Sequence, residues 1–220
     1  MTRTLIWLLM FGLICGSTSG AEKTLIEKAQ KGDADAQYKL GVMYNRGDGI
    51  QEDKTEAEKW LRKSAEQGNV GAQNSLGEFY RLGGSVNESA KWFRKAAEQG
   101  NTEAQCSMGY FYAGYMDFDA GLTKEVVARD PVEAVKWWRK AAEQGNAIAQ
   151  QSLGVCYAKG EGVLKDDVEG LAWLNIGAIS KNKKSAWFRD ELESKLGQQA
   201  SLIAQRRSKE ILKEIEAAKH

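Results

Sequence analysis

Histidine is almost missing from this chain: the only one is His220, the last of 220 residues. Neither a Ser/His nor a Cys/His nucleophilic pair can be assembled around a terminal imidazole. Charge of one sign is also missing, because 31 Lys and Arg oppose 30 Asp and Glu for a net charge of +1. That balance argues against broad binding to nucleic acid or anionic membranes. Proline occurs once, as Pro131, and with 42% apolar and 28% charged residues the composition is that of a globular or solenoid chain, too apolar for disorder. A long hydrophobic run is lacking as well. The longest, Leu5 to Cys15, is too short to cross ~30 Å of hydrocarbon as a helix.

That run follows Arg3 and leads into small residues, Gly16 to Ala21, which is the pattern of a secretory leader. Residues 1–21 are therefore expected to be a signal peptide cleaved after Ala21 or Gly20, its removal leaving 30 groups of each sign, with an uncleaved membrane anchor as the alternative. The expected location is the periplasm or the medium of a bacterium, with no integral membrane association after cleavage.

What is abundant is self-similarity. Ala-Gln recurs at 36–37, 72–73, 104–105 and 149–150. Five residues after each Ala stands a glycine (Gly41, Gly77, Gly109, Gly154), and eight after it a tyrosine (Tyr44, Tyr80, Tyr112, Tyr157). A second set follows Trp60, Trp92, Trp137 and Trp173. Each unit reads as two helices. An Asx residue (Asp33, Asn69, Asn101, Asn146) starts the first, whose apolar stripe runs through Ala36, Leu40 and Tyr44 or their equivalents. Asp53, Ser85, Asp130 or Asp166 starts the second, with Glu56, Glu88, Glu133 or Glu169 three residues on, the spacing of a capping box. Gly68, Gly100 and Gly145 supply the left-handed residue that ends it. Gly41 and its equivalents clear the space where the helices of a hairpin approach, while Trp and Tyr fill the space between units. No single hairpin can bury such a stripe, so units must stack.

The predicted fold is all-α: an α-α superhelix, or solenoid, of four two-helix repeats over residues 22–193. A half-repeat opens it at 22–32, and a capping helix closes it at 194–220, with Ala204, Ile211, Ile215 and Ala218 on one stripe. Arg206, Arg207, Lys209 and Lys213 are read as its solvated face. The third unit carries an insertion within residues 114–129, where Tyr115 and Phe118 beside Asp117 and Asp119 can serve as contacts or fold back onto the hairpin. Cys106 and Cys156 differ by about five residues in repeat register, roughly 7.5 Å along the axis and ~9 Å between helices. That exceeds disulfide geometry, so two buried or semi-buried thiols are expected.

The units A-Q-x-x-[LM]-G-x-x-Y, the turns Gly47 to Gly49 and Gly160 to Gly162, and the endings K-[AS]-A-E-Q-G-N at 63–69, 95–101 and 140–146 resemble the Sel-one-like repeat family. The resemblance covers residues 24–193 and implies a tetratricopeptide-like superhelix acting as an adaptor for other proteins. By similarity to tetratricopeptide grooves, the first helices line the inner surface with Tyr38, Asn45, Arg46, Asn74, Glu78, Arg81, Tyr110, Gln151 and Lys159. Together with Tyr115 and Phe118 these are the expected partner-binding residues. Aromatic, amide and mixed charged groups suit a protein or peptide partner, and association with the cell wall is a further possibility. No catalytic residue, metal or cofactor is expected. The alternative is an envelope hydrolase or binder of β-lactam or peptidoglycan ligands, as linked to cysteine-rich relatives whose paired cysteines this chain lacks. Ser180 to Lys183 matches S-x-x-K, without the accompanying S-D-N or K-T-G.

Overall fold

The computed structural model describes residues 20–114, 128–180 and 182–218. Tyr115, Phe118, the expected signal peptide up to residue 19, and His220 lie outside them. The described residues form eleven α-helices and no strand. These are α1 (Gly20–Gln30), α2 (Ala34–Arg46), α3 (Lys54–Glu66), α4 (Val70–Leu82), α5 (Val86–Glu98), α6 (Thr102–Ala113), α7 (Pro131–Glu143), α8 (Ala147–Lys159), α9 (Asp167–Ile179), α10 (Lys183–Leu196) and α11 (Gln198–Ala217). They fall into two compact units, one ending at Phe79 and the other beginning at Tyr80.

In the first unit α2 packs on both α1 and α3. Ala29, Ala36, Leu40 and Trp60 are its buried cluster, with Leu25, Ile26, Tyr44 and Ile50 packed around them. The opening half-repeat is present: Ala29 is buried as Ala65 is, and Gly32 has the positive φ of Gly68. In the second unit each helix from α5 to α10 packs on the next, and α11 lies mainly on α9. Its core joins Trp138, Leu153, Trp173, Ile176 and Ile211.

The Asx residues cap as their spacing requires. Asp33, Asn69, Asn101 and Asn146 accept the amide hydrogens of Ala36, Ala72, Ala104 and Ala149 at 2.7–2.9 Å. At the second helices no capping box is complete. Asp53, Asp130 and Asp166 accept the amide hydrogens of Glu56, Glu133 and Glu169, but Ser85 makes no side-chain cap. The return bond from Glu is pre-empted: the cap N–H already donates to the carbonyl of the repeat tyrosine, Tyr44, Tyr80, Tyr112 or Tyr157, at 2.8–3.0 Å. Glu56, Glu88 and Glu133 pair instead with Lys59, Lys91 and Lys136 one turn on.

The repeat glycines sit where hairpins close. A Cβ on Gly41 would lie 2.8 Å from Leu61 Cγ, one on Gly109 2.4 Å from Trp138 Cδ1, and one on Gly154 2.8 Å from Leu174 Cγ. Each hairpin is thus locked to the helix separation that a missing side chain allows.

The C-terminal helix departs from expectation in two places. Its buried stripe is Ala204, Ser208 and Ile211, with Ile215 half-buried, whereas Ala218 is exposed. Ser208 replaces an apolar residue because its hydroxyl reaches the Ala172 carbonyl at 3.1 Å. Arg207 is no part of a solvated face either: its guanidinium donates to Glu169 Oε2 and Glu214 Oε1, each at 2.8 Å. These two bonds push its pKa up. The reason lies in α9. Where α3, α5 and α7 carry Lys-x-x-Arg-Lys after the cap glutamate, α9 carries Ala172, Asn175 and Ile176. Glu169 has no lysine on its own helix, and Arg207 takes that place from α11.

Candidate interaction surface

The Ala-Gln pair defines the repeat chemically. Ala36, Ala72, Ala104 and Ala149 are buried, and the glutamines beside them are buried too. Each glutamine amide donates across the turn to a carbonyl eight residues back: Gln37 to Ala29, Gln73 to Ala65, Gln105 to Ala97 and Gln150 to Ala142, at 3.0–3.1 Å. These carbonyls sit in the last turn of the preceding helix, which leaves such acceptors without intrahelical partners. A second amide continues the chain. Gln67 Nε2 donates to Gln37 Oε1, and Gln144 Nε2 to Gln105 Oε1, both at 2.7 Å. The Gln of E-Q-G-N in one repeat thus satisfies the Ala-Gln glutamine of the same repeat. The recurrence of A-Q and E-Q was visible in the sequence, but their partnership was not.

The fourth repeat breaks this relay. Ser180 stands where Gln67 and Gln144 stand, and Gln150 Oε1 is buried with no hydrogen-bond partner among the described residues.

The repeat arginines and lysines are committed as well. Arg94 donates to Tyr112 Oη at 2.7 Å, and Arg139 to Tyr157 Oη. Lys63, Lys95 and Lys140 lie 4.3–4.5 Å from the ring centres of Trp60, Trp92 and Trp137, within cation-π range. Much of the charge on the second helices therefore serves the stack.

The expected partner-binding residues divide between the two units. In the first, Tyr38, Asn45, Arg46, Asn74 and Glu78 stand on α2 and α4. Tyr38 is half-buried against Gly71, where a Cβ would come within 3.1 Å of its ring. Asn45 accepts Lys54 Nζ on its carbonyl at 2.6 Å and on Oδ1 at 3.2 Å, closing the hairpin. Arg46 is exposed in the last turn of α2. In the second unit Arg81, Tyr110, Gln151 and Lys159 stand on α4, α6 and α8. Tyr110 packs edge-on to Trp138 at 5.4 Å, and its hydroxyl meets Ser152 Oγ at 3.3 Å. Tyr110 is half-buried, and burial pushes its phenol pKa up. Gln151 is half-buried and Lys159 exposed.

One of these residues borders a groove. Lys159, Val155 and Ala158 of α8, Leu174 of α9, and Phe188, Leu192 and Leu196 of α10 line a cavity of ≈ 430 Å³. Phe188, Leu192 and Leu196 recur every fourth residue along α10 and are half-buried. Lys165 and Lys195 complete a basic rim, held to Asp167 and Glu191 at 3.1 and 2.6 Å. A second cleft of ≈ 450 Å³ lies among α7, α9 and α11, where Arg139, Lys140 and Arg207 oppose Glu143, Glu169 and Glu214.

Cys106 and Cys156 are both free and buried in the core of the second unit, as the register argument requires. Burial pushes each thiol pKa up to about 12, the opposite of what a thiolate nucleophile needs. Among the described residues no group of three His, Cys, Asp or Glu could hold a metal ion. Nor is any helix among them long and apolar enough to cross a membrane.

Helical hairpins in tandem, joined by amide relays and carrying exposed grooves, define a repeat protein of the solenoid class. The model of the Sel1 repeat matches residues 34–69, 70–101, 118–146 and 147–182. The chain belongs to the Sel1-repeat family, and its fold is an all-α solenoid. Among solved structures it is similar to c5321, described as a protective antigen present in uropathogenic Escherichia coli strains and displaying an SLR fold. The identity is 32% and the TM-score 0.77, over 94% of this chain and 44% of that one. It is also similar to a Sel1 repeat protein from Oxalobacter formigenes, with 34% identity and a TM-score of 0.66 over 76% of this chain and 48% of that one. The chain thus spans less than half the length of either. No curated protein matches it. Sel1-repeat proteins are generally protein-protein interaction modules, and their fold is typically a non-enzymatic scaffold.

Proposed function

We propose that this chain is exported through the leader at residues 1–21 and acts without catalysis, as an adaptor that holds a protein or peptide segment in the bacterial envelope. The observation that carries the reading is how the polar side chains are used. Buried glutamines, cap residues and the Arg–Tyr pairs hold repeats together, while Arg46 and Lys159 are left exposed in the last turns of two first helices. Charged side chains left exposed at the ends of first helices suit recognition of a protein or peptide surface.

Photo-crosslinking residues placed at Arg46 and at Lys159 in the native host test it. The same protein captured from both positions, and not from Lys209 on α11, is the expected result. Capture from neither position, or equal capture from Lys209, overturns the reading. A fusion of residues 1–30 to alkaline phosphatase tests export: enzyme activity in the periplasm is expected, and its absence refutes the leader.

A further inference from the structure

The groove bounded by α8, α9 and α10 has a chemistry that selects its occupant. Along α10 the half-buried side chains of Phe188, Leu192 and Leu196 form one apolar row with a period of four. Spanning nine residues, that row is about 12 Å long, two turns of helix. Val155 and Ala158 of α8 and the buried Leu174 of α9 complete the apolar lining. Such a trough matches the apolar face of an amphipathic helix laid alongside α10.

The rim supplies the sign. Three lysines border the groove, against two carboxylates. Lys165 and Lys195 hold those carboxylates, Asp167 and Glu191, in pairs whose lysine ends are about 60% exposed. Exposed pairs of this kind contribute little and exchange partners readily. Lys159 has no carboxylate within ion-pair distance among the described residues. An incoming acidic group would therefore find one uncompensated ammonium and two more that can turn to it, whereas a basic helix would meet only repulsion at Lys159.

From this groove we infer that the partner engages the fourth repeat as an acidic amphipathic helix, its apolar row interleaving with Phe188, Leu192 and Leu196 and its carboxylates meeting Lys159, Lys165 and Lys195. This rests on the adaptor reading above and specifies the partner's chemistry. The recognition is of the helix-in-groove kind, with the apolar row giving affinity and the lysines giving orientation and salt dependence.

The test uses fluorescence anisotropy of the full chain with two fluorescein-labelled peptides of 16 residues. Both carry Leu at one i, i+4 face; one has Glu on the flanks and the other Lys at the same positions. The Glu peptide should bind and the Lys peptide should bind at least tenfold more weakly, of the order expected for two lost charge pairs at a partly desolvated rim. Lys159→Glu should weaken the Glu peptide and improve the Lys peptide, a reversal that no loss of folding produces. Leu192→Asp should abolish binding while circular dichroism and the melting temperature stay within the range of Lys159→Glu. Equal affinity for both peptides, or none for either, overturns the inference. So does a wild-type dimer in sedimentation that Leu192→Asp dissociates, because the groove would then belong to a second copy. If the native partner is still captured at Arg46 by the Leu192→Asp chain, the groove assignment fails while the adaptor reading stands.

Discussion

Replacing Ser180 with Gln should stabilise the protein, and the reason can be worked through from the relay. In the first and third repeats a Gln at the end of the second helix donates to the buried Ala-Gln glutamine at 2.7 Å. Ser180 occupies the same backbone conformation: its φ and ψ are −75° and 16°, against −80° and 0° at Gln67 and −82° and 3° at Gln144. The sequence separation also matches, since Ser180 follows Gln150 by the same interval that separates Gln67 from Gln37. A serine hydroxyl is too short to reach, so Gln150 Oε1 is left buried and without a partner among the described residues. Supplying the donor recovers the ~1–3 kcal/mol carried by an unsatisfied buried acceptor. Ordering the longer side chain costs up to ~2 kcal/mol. The net is about 1 kcal/mol, which in a chain of this size raises the melting temperature by roughly 2–4 °C. Differential scanning calorimetry of Ser180→Gln measures it, with Gln150→Met as background. The gain should vanish when Gln150 is absent. An unchanged melting temperature, or the same rise in the Gln150→Met background, would refute the relay as the source of stability.

Three further outcomes are expected. Gly109→Ala places a Cβ 2.4 Å from the buried Trp138 ring, and the overpacking should cost about 1–3 kcal/mol, outweighing the better helix propensity of alanine; a urea midpoint no lower than wild type contradicts it. Arg207→Met strips Glu169 of its guanidinium and leaves it, among the described residues, the Trp173 indole N–H at 3.1 Å; amide exchange along α11 should accelerate more than that along α5, and uniform exchange would show that Arg207 does not hold the helix. Because both thiols are pushed from 9.0 up to about 12 by burial, the folded state keeps their protons when the unfolded state has released them. Their contribution is complete below pH 9 and lost as pH rises through about 12; a Cys106→Ala, Cys156→Ala chain should lose less stability over that window, and identical pH profiles would refute the claim.

The local rules were legible in one dimension because their causes are local. An Asx residue three positions before a buried Ala caps its helix through atoms within one turn, and a glycine five after it leaves room for whatever helix comes next. Repetition then made the solenoid inescapable, since one hairpin cannot bury its own stripe. The free state of Cys106 and Cys156 followed from register for the same reason: stacked helices inherit the spacing of the sequence.

Other features depended on which groups meet after docking. The return half of each capping box fails because a tyrosine carbonyl, brought close by the hairpin turn, reaches the cap N–H first. The tyrosine and arginine marks of neighbouring helices become Arg94–Tyr112 and Arg139–Tyr157 pairs only when α5 meets α6 and α7 meets α8. A change from Lys-x-x-Arg-Lys to Ala172, Asn175 and Ile176 was the available signal that α9 had lost its solvent face, yet the partner that replaces it, Arg207, lies on another helix. Sequence thus settled what each helix is and where it stops, because backbone geometry is decided within a turn. Tertiary structure decided which amide, cation or apolar row satisfies which neighbour, because those pairings exist only once separate helices share a register.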